Sequence, residues 1–179
     1  MCEIRFFAQG FFMVILLPDL AATCRLGHAL GNLLAKRSRL LPVFFYGELG
    51  SGKTTLICAM VAALPGGEDA ETSSPSFTLC NMYATSPPVA HFDVYRQEDG
   101  SVDESLLDFL DGERHLVLVE WAERLPEYAL PPERLACEIM TDRVGRRVRL
   151  TAYGQDAVNF LEEAEPALCS HTVFSLDNP

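Results

Sequence analysis

Lysine is almost missing from this chain: Lys36 and Lys53 are the only two, beside twelve arginines and against 25 acidic residues, for a net charge of −11. A polyanion would have to be met by a local patch working against the overall field, which speaks against a stand-alone nucleic-acid binder. Close cysteine pairs are also absent. Cys2, Cys24, Cys58, Cys80, Cys137 and Cys169 are scattered without C-x-x-C spacing, so no zinc or dithiol site is encoded and the thiols read as small, buried or half-buried side chains. Long apolar runs are lacking as well. Phe11–Leu17 is uninterrupted but far short of the roughly 20 residues of a membrane span. Pro18-Asp19 closes it without a small-residue cleavage site, so it is expected to be a strand of a cytosolic protein. Met13 lies inside that run, which leaves residues 1–12 as a possible N-terminal extension. What remains is 179 residues, 49% hydrophobic and 22% charged, the balance of one globular domain with a sizeable core. Disordered, collagenous and coiled-coil chains are excluded.

Leu20, Leu26, Leu30, Leu33 and Leu34 recur at helical spacing over 19–39, with basic residues gathered at the C-terminal end, where the helix dipole favours them. Pro42–Tyr46 reads as a short strand and Thr54–Leu64 as a helix stopped by Pro65-Gly66-Gly67. Strands are expected at Phe77–Tyr83 and Val89–Tyr95 around Ser86-Pro87-Pro88, a short acidic helix at Ser101–Leu110, and a buried parallel strand at His115–Glu120. Arg134–Met140 and Arg146–Ala152 read as a hairpin and Gln155–Glu165 as a last helix. No repeat or second domain is visible. Residues 1–165 are therefore taken as one domain and 166–179 as a loose tail.

Chemistry begins where one of the two lysines falls. Gly47, Glu48, Leu49, Gly50, Ser51, Gly52, Lys53 and Thr54, followed by Thr55, complete a G-x-x-x-x-G-K-[ST] phosphate-binding loop between the expected strand and helix. Its glycines allow successive backbone N–H groups to turn inward on phosphate oxygens, and the following helix adds its positive end. Lys53 would meet the β and γ phosphates and the Thr54 hydroxyl a Mg²⁺ ion. A chance match in a chain of this length is on the order of one per cent.

A triphosphate site also needs a carboxylate near the metal, usually at the end of a neighbouring strand. Four aliphatic residues, Leu116–Val119, lead to Glu120, which places it at the sheet edge where open α/β folds bind ligands. Asp93 is the rival. Strand alternation sets His91, Asp93 and Tyr95 on one face, able to position water or metal, or equally to be the solvated side of an edge strand.

The loop G-E-L-G-S-G-K-T-T, Ser74-Pro75-Ser76-Phe77, His91-Phe92-Asp93-Val94-Tyr95-Arg96 and Val119-Glu120-Trp121-Ala122-Glu123, in this order, closely resemble the TsaE family (formerly YjeE), bacterial P-loop ATPases of tRNA threonylcarbamoyladenosine synthesis. The resemblance spans Gly47–Glu123, and Leu17–Gly31 also looks like the family's first strand and helix. It implies an α/β P-loop NTPase fold: a mixed, mostly parallel sheet with helices on both faces and an antiparallel hairpin near the C-terminus. It implies ATP and Mg²⁺ as cofactors, with Lys53 on the phosphates, Thr54 and Glu120 at the metal, and Glu120 and Asp93 as the catalytic pair. Ser74–Phe77 and His91–Arg96 would be switch-like segments near the γ-phosphate. The partners would be the TsaD and TsaB proteins, with tRNA reached only through the complex, no small-molecule acceptor and no membrane, in the cytoplasm. Ser76 stands where the family has Thr, keeping the hydroxyl, and Ala122 where Pro or Gly is common.

Trp121, the only tryptophan, reads as a core or interface aromatic or as a nucleotide or partner contact. The seven carboxylates of 98–113 read as a solvated helix face or a docking surface for a basic partner. Arg143, Arg146, Arg147 and Arg149 read as strand decoration, or as contacts to nucleotide, protein or tRNA. A small-molecule kinase is the alternative class, with the arginine-rich hairpin as a lid, although no acceptor-binding insertion separates the loop helix from Glu120. A GTPase is disfavoured because neither lysine is preceded by Asn, so no Asn-Lys-x-Asp segment exists to read guanine.

Overall fold

Val43–Tyr46 (β3) and Leu116–Glu120 (β6) are apolar on both faces, which a strand tolerates only when both are covered. They lie side by side and parallel in the middle of a sheet. The protein, seen as a computed structural model, is described over residues 2–7, 10–68, 70, 74–75, 78–98, 100–112 and 114–170. Around the central pair the elements are β1 (Cys2–Phe7), β2 (Gly10–Leu17), α1 (Leu20–Ala35), α2 (Lys53–Ala62), β4 (Cys80–Tyr83), β5 (Val89–Asp93), α3 (Glu104–Asp111), β7 (Arg134–Asp142), β8 (Gly145–Tyr153) and α4 (Gln155–Ser170). The strand order is β1-β2-β8-β7-β3-β6-β5-β4. The four strands β7-β3-β6-β5 are mutually parallel, and antiparallel strands flank them on both sides. This is the mixed α/β architecture expected, with the β7–β8 hairpin in place.

Alternation divides the core in two. Val43, Phe45, Leu116 and Leu118 face α1, α2 and α4, where Leu26, Leu30, Leu56, Ile57, Leu161 and Leu168 cover them. Phe44, Phe92, Val117 and Val119 face the other way onto Leu106 of α3 and Leu125. Each such side chain, removed from water, contributes about 1.5–3 kcal/mol, so the middle of the sheet is the most firmly held part of the molecule. In α1 the Asp19 carboxylate caps the helix by accepting from the Ala22 amide at 2.7 Å. α1 then lies against α2 so closely that a methyl group on Gly31 would stand 2.5 Å from the Met60 carbonyl oxygen.

Several boundaries differ from those expected. The strand anticipated from Phe77 begins at Cys80; Ser76 and Phe77 lie outside the described residues, while the amides of Thr78 and Leu79 both donate to the Pro75 carbonyl at 2.9 and 2.8 Å, closing a turn. The strand anticipated to Tyr95 ends at Asp93, because the Tyr95 amide donates to Asp93 Oδ1 at 3.0 Å, an Asx turn that diverts the chain. The last helix does not stop at Glu165. It continues through Pro166 to Ser170, so a tail beginning at 166 is corrected: burial of Ala164 and Leu168 in the larger core outweighs the roughly 3 kcal/mol that proline costs a helix interior. Residues 171–179 lie outside the described residues. Residues 2–7, within the possible extension, form the strand β1 on the edge of β2. No helix among the described residues is long and apolar enough to cross a membrane.

Candidate nucleotide site

Register puts the chemistry in one row. Phe45 of β3 and Asp93 of β5 both pair with Glu120 of β6, so the two carboxylates stand on neighbouring strands at the edge from which the chain leaves β3 into the glycine loop. That loop ends at Gly52, whose φ of +106° suits glycine, and α2 starts at Lys53 with its N-terminal amides towards the loop. A cleft of about 430 Å³ opens here, lined by Leu49, Gly50, Gly52, Lys53, Thr54 and Thr55 of the loop and helix, and by Ser74, Asp93, Tyr95, Arg96, Glu120, Trp121 and Arg146 opposite. Gly47, Glu48 and Ser51 line a neighbouring cavity on the other side of the loop with residues of β7.

Lys53 is 4% exposed. Its ammonium donates to the carbonyls of Gly47 at 2.5 Å and Glu48 at 3.0 Å, and it sits 3.6 Å from the centre of the Trp121 ring, a cation–π contact. Burial pulls its pKa below the ordinary lysine value, opposed by the carboxylates of Glu120, Glu123 and Asp93. Trp121 reaches it because its own backbone is left-handed, φ 63°, which is uncommon and strained for a bulky residue. Tyr95 packs on the same indole at 4.6 Å between ring centres.

Glu120 is 2% exposed and held from two sides. The Thr54 hydroxyl lies 2.8 and 2.9 Å from its two oxygens, and His91 Nε2 lies 2.9 Å from Oε1. His91 is wholly buried, and its Nδ1 has no hydrogen-bond partner among the described residues. Asp93, 4% exposed, accepts from the Ser74 hydroxyl and the Tyr95 amide. The face carrying His91 and Asp93 is therefore no solvated strand edge, since β5 runs between β6 and β4. Tyr95 leaves that face, lying past the strand end and 39% exposed.

Thr54 and Glu120 offer a hydroxyl and a carboxylate, hard oxygen donors that suit Mg²⁺. Among the described residues no group of three or more His, Cys, Asp or Glu could hold a metal alone. Of the residues singled out in the sequence, Lys53, Thr54, Thr55, Asp93, Glu120 and Trp121 meet around one cleft. Glu48 contributes its carbonyl to Lys53, its side chain being exposed, and Leu49 is 79% exposed at the rim. His91, singled out with Asp93, orients Glu120, and of the four hairpin arginines Arg146 alone lines the cleft wall. Alternation hinted at the first; only the sheet register brings in the second.

A glycine loop between a central parallel strand and a helix, with its lysine and hydroxyl residue facing a strand-end carboxylate, defines a P-loop protein, a nucleotide-binding class of α/β fold. Residues 17–148 match the family described as threonylcarbamoyl adenosine biosynthesis protein TsaE, and the chain belongs to that family. It is 38% identical over 121 residues to the tRNA threonylcarbamoyladenosine biosynthesis protein TsaE of Bacillus subtilis (strain 168), a stretch covering 65% of this chain and 73% of the relative. Proteins of the same description from Haemophilus influenzae (31% over 120 residues, 62% of this chain and 74% of the relative) and Treponema pallidum (35% over 119 residues, 60% and 80%) also match. The crystal structure of Bacillus subtilis YdiB superposes with a TM-score of 0.68 over 92% of this chain and 97% of that one, at 24% identity, a likeness of fold.

Proposed function

We propose that the chain binds ATP with Mg²⁺ in the cleft at the loop and hydrolyses it, as the ATPase component of tRNA threonylcarbamoyladenosine formation, acting in the cytoplasm with the TsaD and TsaB proteins. The observation that carries this reading is the contact of the Thr54 hydroxyl with both oxygens of Glu120: a helix-borne hydroxyl and a strand-end carboxylate meet beside a loop lysine, as metal-assisted phosphoryl chemistry requires. A bound Mg²⁺ supplies charge neutralisation at the phosphate oxygens. This chain's own residues do the rest. Loop amides and Lys53 bind phosphate, and His91 keeps Glu120 pointed into the cleft. Asp93, tied to Ser74 and to the Tyr95 amide, links the cleft to both switch-like segments and so couples their order to whatever occupies it.

Calorimetric titration with ATP in the presence and absence of Mg²⁺, followed by steady-state hydrolysis with and without TsaD and TsaB, tests this reading. Metal-dependent ATP binding and slow turnover, raised at least about tenfold by the partners (roughly 1.4 kcal/mol of barrier), is the expected result. Turnover raised by a small-molecule acceptor and untouched by the partners would make it a kinase instead.

A further inference from the structure

Four arginines crowd the β7–β8 hairpin, but they do not share one fate. Arg147 pairs with Asp142 at 2.9 Å and Arg149 with Glu138 at 3.2 Å, both substantially exposed, the pattern of surface strand decoration. Arg146 has no acidic partner among the described residues, and its Nε is buried without any hydrogen bond. It stands in the first pairs of β8, opposite Leu17 on one side and Thr141 on the other, so its backbone is fixed by two neighbouring strands. From there the side chain crosses to the glycine loop. Nε, Cδ and Cζ would lie 3.1, 3.5 and 3.6 Å from a methyl group placed on Gly52, and the residue forms part of the wall of the cleft that holds Lys53, Thr54 and Glu120.

A guanidinium partly removed from water with no counter-charge is costly unless something anionic completes it. Here the unfilled donor lies against Gly52 of the phosphate loop. Arginine's planar fork also matches phosphate oxygens two at a time, which a lysine cannot do.

We propose that Arg146 is a phosphate-binding residue of the nucleotide site, reaching the phosphates from the hairpin of the same chain past Gly52 of the loop. The inference rests on the nucleotide reading above. It assigns the hairpin a part in the site and separates Arg146 from its exposed neighbours.

The test is calorimetric titration of the full chain with Mg-ATP for the parent, Arg146→Gln, Arg146→Lys and Arg147→Gln, with circular dichroism to confirm the fold. Arg146→Gln is expected to weaken ATP at least about tenfold, equivalent to about 1.4 kcal/mol. Arg146→Lys should recover part of that loss, keeping charge without the fork, and Arg147→Gln should match the parent. Folded Arg146→Gln binding ATP as tightly as the parent would overturn this inference alone, and so would equal losses in the Arg146 and Arg147 variants, which would indicate general field only. A parent that binds no nucleotide would overturn the nucleotide reading and this inference together. Should Arg146→Gln fail to fold, folded Arg146→Lys decides: parental affinity counts against the fork, a drop supports it.

Discussion

Replacing Gly31 by alanine tests how the helix behind the phosphate loop is held. The added methyl would stand 2.5 Å from the Met60 carbonyl oxygen and 3.1 Å from Met60 C and Cα. All three are backbone atoms of α2, so no side-chain rotation relieves the clash and the helices must part by about an ångström. Overpacking of this kind costs about 1–3 kcal/mol, whereas alanine gains up to about 1 kcal/mol over glycine in a helix interior. The net expectation is a loss of about 1–2 kcal/mol, and chemical denaturation with an unchanged m-value would measure it. Because α2 carries Lys53 and Thr54 on its first turn, the same displacement reaches the site, where an error of about 1 Å can cost on the order of a hundredfold in rate. Turnover should therefore fall in the folded variant even under conditions where unfolding is negligible. A Gly31→Ala protein as stable as the parent or more so would mean that helix propensity wins, and that α1 and α2 are not in contact at this point.

Lys53→Ala should weaken ATP binding by at least about thirtyfold, or ~2 kcal/mol, the worth of a charge-assisted hydrogen bond; calorimetry showing parental affinity would remove Lys53 from the phosphates. Thr54→Ala and Glu120→Ala should lose hydrolysis more than nucleotide binding, and equal loss of both in folded protein would place them outside the metal shell. Asp93→Ala should still bind ATP yet lose stimulation by TsaD and TsaB, with full stimulation counting against partner gating. Among the thiols, burial raises Cys80 to about 11 and pushes the wholly buried Cys137 still higher. At pH 8 the Cys80 thiolate is about a hundredfold scarcer than for a thiol of ordinary pKa near 9. Ellman's reagent should label Cys80 slowly and Cys137 only in denaturant, and rapid native labelling of Cys137 would contradict its place between β3 and β8.

What was legible in the sequence was local or periodic. The phosphate loop is a contiguous string, and Leu116–Val119 could only be a strand covered on both faces, so the position of Glu120 followed from chain continuity. An element ended by a single side-chain bond is shorter than its residue pattern, as at Tyr95, whose amide is taken by Asp93. α4 runs past Pro166 because Leu168 packs into the core formed with distant strands, which no local pattern weighs against a proline. The indole of Trp121 on Lys53 depends on a left-handed backbone at a non-glycine residue, which no residue type announces. Arg146 was one of four similar arginines until β8 found its place between β2 and β7.

The single tryptophan has a consequence of an optical kind. Its indole lies against the one ammonium of the glycine loop, with the Tyr95 ring on it as well, and the chain contains no second indole to dilute the signal. Tryptophan emission from the unlabelled protein therefore comes from a point at the cleft wall. Any ligand that draws Lys53 off its carbonyls also changes the charge beside that fluorophore, so occupancy of the loop can be followed in real time, and the rate of capture separated from the rate of the chemistry that follows, without attaching a probe.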